Sequence, residues 1–363
     1  MAIDPNPEAF DTLNGWHDDD HLAAFHAFAA SARRMVDIPY KTRALGVDAE
    51  ALLAIAHAAL AEPAPAGINA ARLFFEQHFI AKRLVPAPPR TSGFLTGYFE
   101  PQMEASRTRS DEFPVPMLRK PAELVEIDDT NRPANMPADF RFARKTDAGF
   151  EEFFDRGAIQ SGALDGRGLE LAWLRDKVDL FFIHVQGSAK LLLKSGGTMR
   201  VTYAAKSGHP YTSLGKVMCE RLNVAPSQMT SDILLDWMRA HPDELDALLA
   251  VNRSYIFFKE VEGLDGDLGP VGAAKVPLIA GRSMAVDRTL HTFGSPIWIE
   301  SHSPLPGDDA TTRRLMVAHD TGSAIVGPAR GDFFVGSGAG AGFVAGRIQH
   351  DADMFVLVPG PVA

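Results

Sequence analysis

The chain contains 363 residues, enough for two ordinary domains, of which 46% are apolar and 23% are charged, as expected for a folded globular protein. Its 36 basic and 46 acidic residues give a formal net charge of −10, which argues against a surface that binds nucleic acid or anionic lipid. A small molecule or an uncharged polymer is the expected partner. Because Cys219 is its one cysteine, the chain holds no internal disulfide and no cysteine metal cluster.

The first ninety residues predict helices. Apolar residues from Leu22 to Met35 recur at helical spacing, directly after a group of aspartates that can cap a helix. Asp48 is expected to begin a second helix, and a third helical run is predicted over 68–84, before a proline-rich connector. We expect these helices to pack together as one cap.

From Phe94 onward, short apolar or alternating runs are separated by glycine and proline, which predicts strands. Helices are expected near 213–222 and 231–240, each begun by a serine cap. The glycine cluster at 336–342 is expected to form a flexible rim near acidic residues. Without regular alternation of strands and helices, the pattern predicts a barrel-like or sandwich β architecture. The predicted strands include 180–186, 254–260, 296–300 and 354–358.

The sequence offers no sign of a membrane-spanning or export segment. No run of about eighteen uninterrupted apolar residues occurs. The segment Met1–Pro5 lacks the charge and the apolar stretch of an export signal. Two interpretations stay open: a cytosolic protein, or an exported protein whose signal was removed.

Three aspartates near the C-terminus, set among glycines and turns, are the strongest candidates for chemistry. Asp320 and Asp332 lie twelve residues apart, and Asp287 precedes Asp320 by thirty-three residues. A strand that ends in Asp-Thr-Gly places its carboxylate on a tight turn, where backbone N–H groups can point inward. A second carboxyl nearby would have its pKa raised by burial and like charge, as a general acid near neutral pH requires. Each aspartate alone could instead cap a turn, or pair with Arg330 in the case of Asp332, but three together favour a catalytic site.

The residues also leave two other functions open. Asp320-Thr-Gly-Ser-Ala matches the short signature of aspartic proteases, whose chemistry needs two aspartates that share a proton. No second Asp-Thr-Gly or Asp-Ser-Gly occurs in the sequence, so such an enzyme would have to dimerise about its site. The other alternative is a glycan-binding barrel without catalysis.

Polar groups near aromatic rings indicate a site for a sugar. Gln186-Gly187-Ser188 offers amides and a hydroxyl at the end of a predicted strand, and the segment from Tyr203 through Lys206 to Tyr211 follows another strand. Tyr98 supplies a further ring. Sugar hydroxyls need hydrogen bonds, while sugar C–H faces need flat apolar contacts. Turn chemistry and core tyrosines explain each segment alone about as well.

Taken in order, motifs from about Gly93 to Pro359 resemble the membrane-bound lytic transglycosylase A family of bacterial cell-wall enzymes. Many motifs in one order make a chance match very improbable. The last part resembles the three-aspartate domain of that family, with its acids at Asp287, Asp320 and Asp332. The matching segments are 96–101, 113–116, 178–188, 200–203, 206–213, 252–258, 281–287, 320–327 and 332–334.

This resemblance implies a mainly β fold with a helical N-terminal region. The implied catalytic domain is a double-psi β-barrel formed by 1–104 and 251–363, with its helices in 1–90. A smaller β-domain formed by 105–250 is inserted, and a glycan groove lies between the two domains. We expect no metal and no cofactor.

The resemblance also implies the reaction. The family cleaves the β-1,4 bond between N-acetylmuramic acid and N-acetylglucosamine of peptidoglycan and leaves a 1,6-anhydro end. Asp332 is implied as the catalytic acid and base, and Asp320 as its supporting neighbour. The chain is expected in the periplasm as a monomer, with attachment to the outer membrane if a lipid anchor was removed. The expected substrate-binding residues are Thr96, Tyr98, Gln186, Gly187, Ser188, Lys206, Tyr211 and Asp287.

Overall fold

The structure is a computed structural model that describes residues 2–61, 63–261, 268–305 and 311–360. Contacts within the chain divide it into two compact units, which we describe separately. The first unit comprises Met1–Phe99 with Asp265–Ala363, and the second comprises Glu100–Leu264. The domain boundaries expected from the sequence, after 104 and 250, stay a prediction.

Strands outnumber helices in the described ranges, which confirms the mainly β class. None of these helices combines the length and the apolar character that crossing a bilayer requires. The elements up to the start of the second unit are β1 (Ile3–Glu8), α1 (His21–Asp37), α2 (Ala49–Leu60), α3 (Ile68–His78), β2 (Phe79–Leu84) and β3 (Gly93–Glu100). The second unit contains β4 (Gln102–Ser106), β5 (Val115–Leu118), β6 (Leu124–Glu126), β7 (Phe142–Thr146), β8 (Gly149–Glu151), α4 (Arg156–Gln160), β9 (Glu170–Leu174), α5 (Lys177–Gln186), β10 (Ser188–Leu193), β11 (Thr198–Lys206), α6 (Leu214–Leu222), α7 (Ser231–Ala240), α8 (Pro242–Val251) and β12 (Ile256–Val261). The first unit is completed by β13 (Ser283–Val286), β14 (Pro296–Pro304), β15 (Thr311–Asp320), β16 (Arg330–Ser337), α9 (Ala339–Ala345) and β17 (Gln349–Pro359).

The sheet of the first unit closes on itself. Its strands are hydrogen-bonded in the order β1-β2-β17-β14-β15-β13-β16-β3, and β17 also pairs with β3. Six strands, from β17 round to β3, therefore form a ring. Within this ring, β13 lies between β15 and β16, and it pairs in parallel with β15 and antiparallel with β16.

Alternate residues of these strands fill the ring or face its helices. Successive side chains of a strand point to opposite faces. One set forms the core inside the ring, while the other, including Trp298, Leu315 and Val317, packs against α1, α2 and α3. Each of the six ring strands contributes at least one side chain to the core inside the ring, including Leu95, Met284, Ile297, Met316, Phe333 and Val356.

The predicted starts of the first two helices are confirmed. Asp20 accepts a hydrogen bond from the backbone N–H of Ala23 at 3.1 Å, and Asp48 accepts one from Glu50 at 2.8 Å. The prediction of helix over 68–84 is wrong for its last six residues, which form β2. Their alternating burial suits a strand, and pairing with β17 satisfies their backbone groups.

The second unit contains a six-stranded sheet, β12-β11-β10-β4-β9-β5, and a three-stranded sheet, β6-β7-β8. The predicted strand at 180–186 is wrong, because this segment belongs to α5. The Asp176 carboxylate caps that helix by accepting the N–H of Asp179 at 2.7 Å, and Gly187 ends it with a φ of 79°. A short apolar run fits a buried helix as well as a strand, so only its caps identify it.

The other predicted elements are close to those observed. The helix at 213–222 is confirmed with Ser213 as its cap, whereas the cap of α7 is Thr230 rather than Ser231. The strands at 254–260, 296–300 and 354–358 are confirmed as β12, β14 and β17. The glycine cluster, expected as a flexible rim, instead leads into α9.

Candidate active site

Two of the three aspartates flank one small residue of the barrel. Ala285 of β13 lies opposite Asp320 of β15 and also opposite Asp332 of β16. Since neighbouring strands lie about 4.8 Å apart, the Cα atoms of the two aspartates are separated by roughly 10 Å. Residues opposite each other share a face of the sheet, so both carboxylates project on the same side, from strands that flank Ala285.

An irregularity in β15 brings Asp320 to this face. Met284 lies opposite Ala318, but Ala285 lies opposite Asp320, which leaves His319 as an extra residue. Met284 and Ala318 point into the core of the ring. In a regular strand the residue two positions after Ala318 would point there too. The bulge therefore turns Asp320 from the ring interior to the face of Asp332.

The bulged residue is itself held in place. His319 is fully buried, and its Nδ1 lies 2.7 Å from Oγ of Ser283. Burial lowers the pKa of His319 to about 3, so the ring is neutral near physiological pH. The carbonyl of His319 also accepts the N–H of Ala274 at 2.9 Å. These contacts fix the turn from which Asp320 projects.

Asp332 has a donor network of its own. Oγ1 of Thr96 donates to Oδ1 of Asp332 at 2.6 Å, and Nη2 of Arg330 donates to the same Thr96 oxygen at 2.7 Å. Burial raises the pKa of Asp332, while the positive charge of Arg330 and the hydrogen bond from Thr96 act in the opposite direction. Burial has the larger effect, which favours retention of the proton.

Asp320 is surrounded by different donors. Its Oδ1 accepts the N–H of Ala273 at 2.9 Å, and its Oδ2 accepts the hydroxyl of Tyr98 at 3.1 Å. Burial raises the pKa of Asp320 to about 6, and the charge of Asp332 adds to the increase. Burial and both aspartates raise the pKa of Tyr98, so the phenol remains a donor. We expected burial and the charge of Asp320 to raise the pKa of Asp332, and burial is the main cause of the raised pKa of both acids.

Asp287 lies in the same unit, but its carboxylate binds the chain itself. Its Oδ1 accepts the N–H and the hydroxyl of Thr289 at 2.9 and 2.6 Å, and its Oδ2 accepts the N–H of Gly327 at 2.9 Å. Gly327 belongs to the loop that joins Asp320 to Asp332. The contacts of Asp287 therefore position that loop, and a role in binding substrate stays a prediction.

The structure brings together four of the ten predicted site residues, namely Thr96, Tyr98, Asp320 and Asp332. Five others lie in the second unit, which is described by itself. Gln186 and Gly187 end α5, Ser188 begins β10, Lys206 ends β11, and Tyr211 precedes α6. A binding role for these five stays a prediction.

Sequence reasoning missed three residues of the site. Ala285 lies between the two acids in the sheet, and His319 is the bulged residue that redirects Asp320. Arg330 supports Asp332 through Thr96. The sequence indicates Arg330 only as a direct ion-pair partner of Asp332, whereas in the structure its guanidinium donates a hydrogen bond to Thr96. The available signal was the spacing Arg-x-Asp, which places both side chains on one face of a strand. Across the described ranges, no His, Cys, Asp or Glu side chains are grouped to hold a metal ion.

Comparison with known proteins gives consistent matches along the chain. Residues 94–259 match the MltA specific insert domain, and residues 282–358 match the 3D domain. A crystal structure of a membrane-bound lytic murein transglycosylase from Agrobacterium tumefaciens is 43% identical, with a TM-score of 0.91, over 99% of this chain and 98% of that one. E. coli MltA with bound chitohexaose is 25% identical, with a TM-score of 0.68, over 99% of this chain and 94% of that one.

A curated relative shows the same similarity at the sequence level. Membrane-bound lytic murein transglycosylase A of Escherichia coli K12 is 32% identical over 277 residues, which cover 74% of this chain. The match spans 66% of the length of that relative.

Proposed function

Because this chain belongs to the membrane-bound lytic murein transglycosylase A family, as the resemblance predicted, we propose that it is a lyase that cleaves the glycan strands of peptidoglycan. The bond is the β-1,4 link between N-acetylmuramic acid and N-acetylglucosamine, and the product carries a 1,6-anhydro end. The observation that carries this proposal is the pair formed by Asp332 and Asp320 on one face of the barrel, each with a raised pKa.

The proposed chemistry assigns two successive steps to one carboxyl group. Protonated Asp332 donates its proton to the glycosidic oxygen, and the bond from that oxygen to C1 of the muramoyl residue breaks. The C6 hydroxyl of the same sugar then bonds to C1 and gives its proton to the Asp332 carboxylate. The acid regains its starting form and no water is consumed. Ordinary glycosidases divide these tasks between two carboxyl groups.

The surroundings of the acids suit this sequence. Asp320, when ionised, stabilises the positive charge that develops on the sugar ring, and Tyr98 holds its carboxylate in position. The nucleophile belongs to the substrate, so proximity replaces the entropic cost of capturing a water molecule. Both aspartates keep some solvent contact, as acids that meet a substrate must.

The remaining expectations belong to the same proposal. The closed ring of six strands is compatible with a double-psi β-barrel built from both parts of the chain, with the insert as a second domain. Within the second unit, the proposed glycan-binding residues are Gln186, Gly187, Ser188, Lys206 and Tyr211. The relatives are named membrane-bound, which supports a periplasmic enzyme, with attachment to the outer membrane if a lipid anchor was removed. A monomer is part of the same proposal.

The decisive experiment replaces the acid and weighs the product. Asp332→Asn should abolish release of muropeptides from purified sacculi while it retains glycan binding, and the wild-type product should be lighter by one water than a hydrolysis product. Continued release by the folded variant would refute the assignment. Binding without release by the wild type would favour the glycan-binding barrel. Peptide products together with inhibition by a pepstatin-type compound would favour the protease.

A further inference from the structure

We propose that Arg330 is a positioning residue that directs the Thr96 hydroxyl proton onto Asp332 and supports the carboxylate form of Asp332 between its two proton transfers. This inference rests on the proposed function for its consequence in turnover. Its geometric basis, a chain of two hydrogen bonds, is independent of the substrate.

The direction of the two hydrogen bonds follows from the chemistry of the groups. A guanidinium has only donors, so Thr96 Oγ1 must accept from Nη2 of Arg330. The hydroxyl then has one proton left to give, and Asp332 Oδ1 lies 2.6 Å away. Without the guanidinium, the Thr96 hydroxyl could rotate and accept a hydrogen bond from protonated Asp332 instead of donating one. Arg330 thereby makes Thr96 a donor to Asp332.

Contacts with the backbone and with one ring hold Arg330 in place. Its Nη1 donates to the carbonyl of Gly331, its Nη1 also lies 3.5 Å from the carbonyl of Phe94, and its Cζ lies 5.3 Å from the centroid of the Phe94 ring. Arg90 stacks on the same ring at 3.9 Å. The guanidinium is therefore ordered before any substrate binds.

The charged and titratable groups around Asp332 come from three strands. Arg330 lies on the same strand, Tyr98 approaches from β3, and Asp320 approaches from β15, while Arg90 acts on Arg330. Arg330 is the positive group among those that act on Asp332, and it counteracts part of the burial that raises the pKa of this acid. Its removal should therefore leave Asp332 protonated to higher pH.

The first test compares Arg330→Gln with Arg330→Lys. In the proposed reaction Asp332 must be protonated, so kcat/KM falls as pH rises through the pKa of Asp332 in the free enzyme. An opposite charge in contact lowers a carboxyl pKa by 1–3 units, and here a hydroxyl intervenes, so Arg330→Gln should move the alkaline limb of kcat/KM upward by about one pH unit. Arg330→Lys keeps the charge and should restore the limb. An unmoved limb in folded Arg330→Gln would overturn the proposal.

The second test asks whether Arg330 acts through Thr96. Thr96→Val removes the hydroxyl and Thr96→Ser keeps it, so only the valine variant should shift the limb. Adding Arg330→Gln to Thr96→Val should shift the limb by less than Arg330→Gln does alone. Full additivity would mean that Arg330 does not use the hydroxyl. If Arg330→Gln fails to fold, the alkaline limbs of Thr96→Val, Thr96→Ser and Arg330→Lys still test the proposal. Only Thr96→Val should shift the limb, and an unmoved limb in Thr96→Val would overturn the proposal.

A third measurement separates this inference from the reaction itself. Carbon-13 NMR of labelled aspartate follows the titration of Asp332 without substrate, with Asp332→Asn used to assign the signal. The titration midpoint should rise in Arg330→Gln and stay in Arg330→Lys. A shifted midpoint in a protein that does not cleave sacculi would retain the positioning role and reject the function. An unshifted midpoint would reject the role.

Discussion

Asp320→Asn is expected to make the protein more stable while it impairs turnover. The Asp320 carboxylate is held in a site that disfavours its charge, since burial and the neighbouring Asp332 raise its pKa. Asparagine has nearly the same shape, and its amide oxygen can keep the N–H of Ala273. Its amide nitrogen would face the Tyr98 hydroxyl, which can rotate and accept instead of donating.

The size of the gain follows from the pKa of Asp320. Its pKa is raised from 3.8 to about 6, and one pKa unit corresponds to about 1.4 kcal/mol. The ionised carboxylate thus costs the fold about 3 kcal/mol at pH 7.5, and this cost fades as pH falls through 6. At pH 4.5 about 1 kcal/mol remains, and below 3.8 almost none. Because Asp320 as a whole residue is only half-buried, these values are upper limits.

Urea unfolding at pH 7.5 and pH 4.5 measures the effect directly. The free energy of unfolding of Asp320→Asn should exceed that of the wild type by 1–3 kcal/mol at pH 7.5 and by clearly less at pH 4.5. Release of muropeptides should fall in the same variant. The combination is typical of an active-site residue that is retained at the expense of stability.

Asp287→Asn is the matched control. Asp287 accepts backbone N–H groups on both of its oxygens, from Thr289 and from Gly327. An amide nitrogen must face one of them and cannot accept, so this variant should be less stable by about 1–3 kcal/mol at both pH values. A loss of stability in Asp320→Asn at pH 7.5, or an equal gain at both pH values, would refute the reasoning about its charge.

Two further substitutions test the scaffold. Asp19 is buried and accepts two hydrogen bonds from Arg282, at 2.7 and 2.9 Å. Asp19→Ala should lower the free energy of unfolding, measured with urea, by about 3–5 kcal/mol because it leaves the buried charge of Arg282 unpaired. Asp18 is exposed, so Asp18→Ala should change this free energy by under about 0.5 kcal/mol. A Cβ atom on Gly97 would lie 2.9 Å from the backbone of α9. Gly97→Ala should therefore lower the free energy of unfolding by about 1–3 kcal/mol, which reduces the melting temperature, and it should also reduce muropeptide release. Gly340→Ala, which meets nothing within 4 Å, is its control, and equal behaviour of the two glycine variants would contradict this argument.

The sequence predicted the parts of the site that depend on local chemistry. Aspartates among glycines and turns pointed to Asp320 and Asp332, and capping residues placed the starts of α1, α2 and α6 correctly. These features act over three or four residues, so a single segment contains the whole signal. The family motifs added the order of the domains and the proposed reaction.

The sequence could not predict what depends on pairing between distant segments. Thr96 and Asp332 are 236 positions apart, and nothing local identifies them as partners. The bulge at His319 is visible only as a change of register against β13. A regular β15 would have turned Asp320 into the core, so the position of the acid depends on a feature with no local sequence signal.

The pairing of β3 with β17 has a consequence for the biosynthesis of this protein. The ring closes between residues 93–96 and 349–352, with the whole second unit in the intervening sequence. A nascent polypeptide emerging from the ribosome or from a translocation channel has Thr96 and Tyr98 long before it has Asp320 and Asp332. Until the late strands arrive, neither acid exists beside its donors, and an incomplete chain carries no assembled acid site.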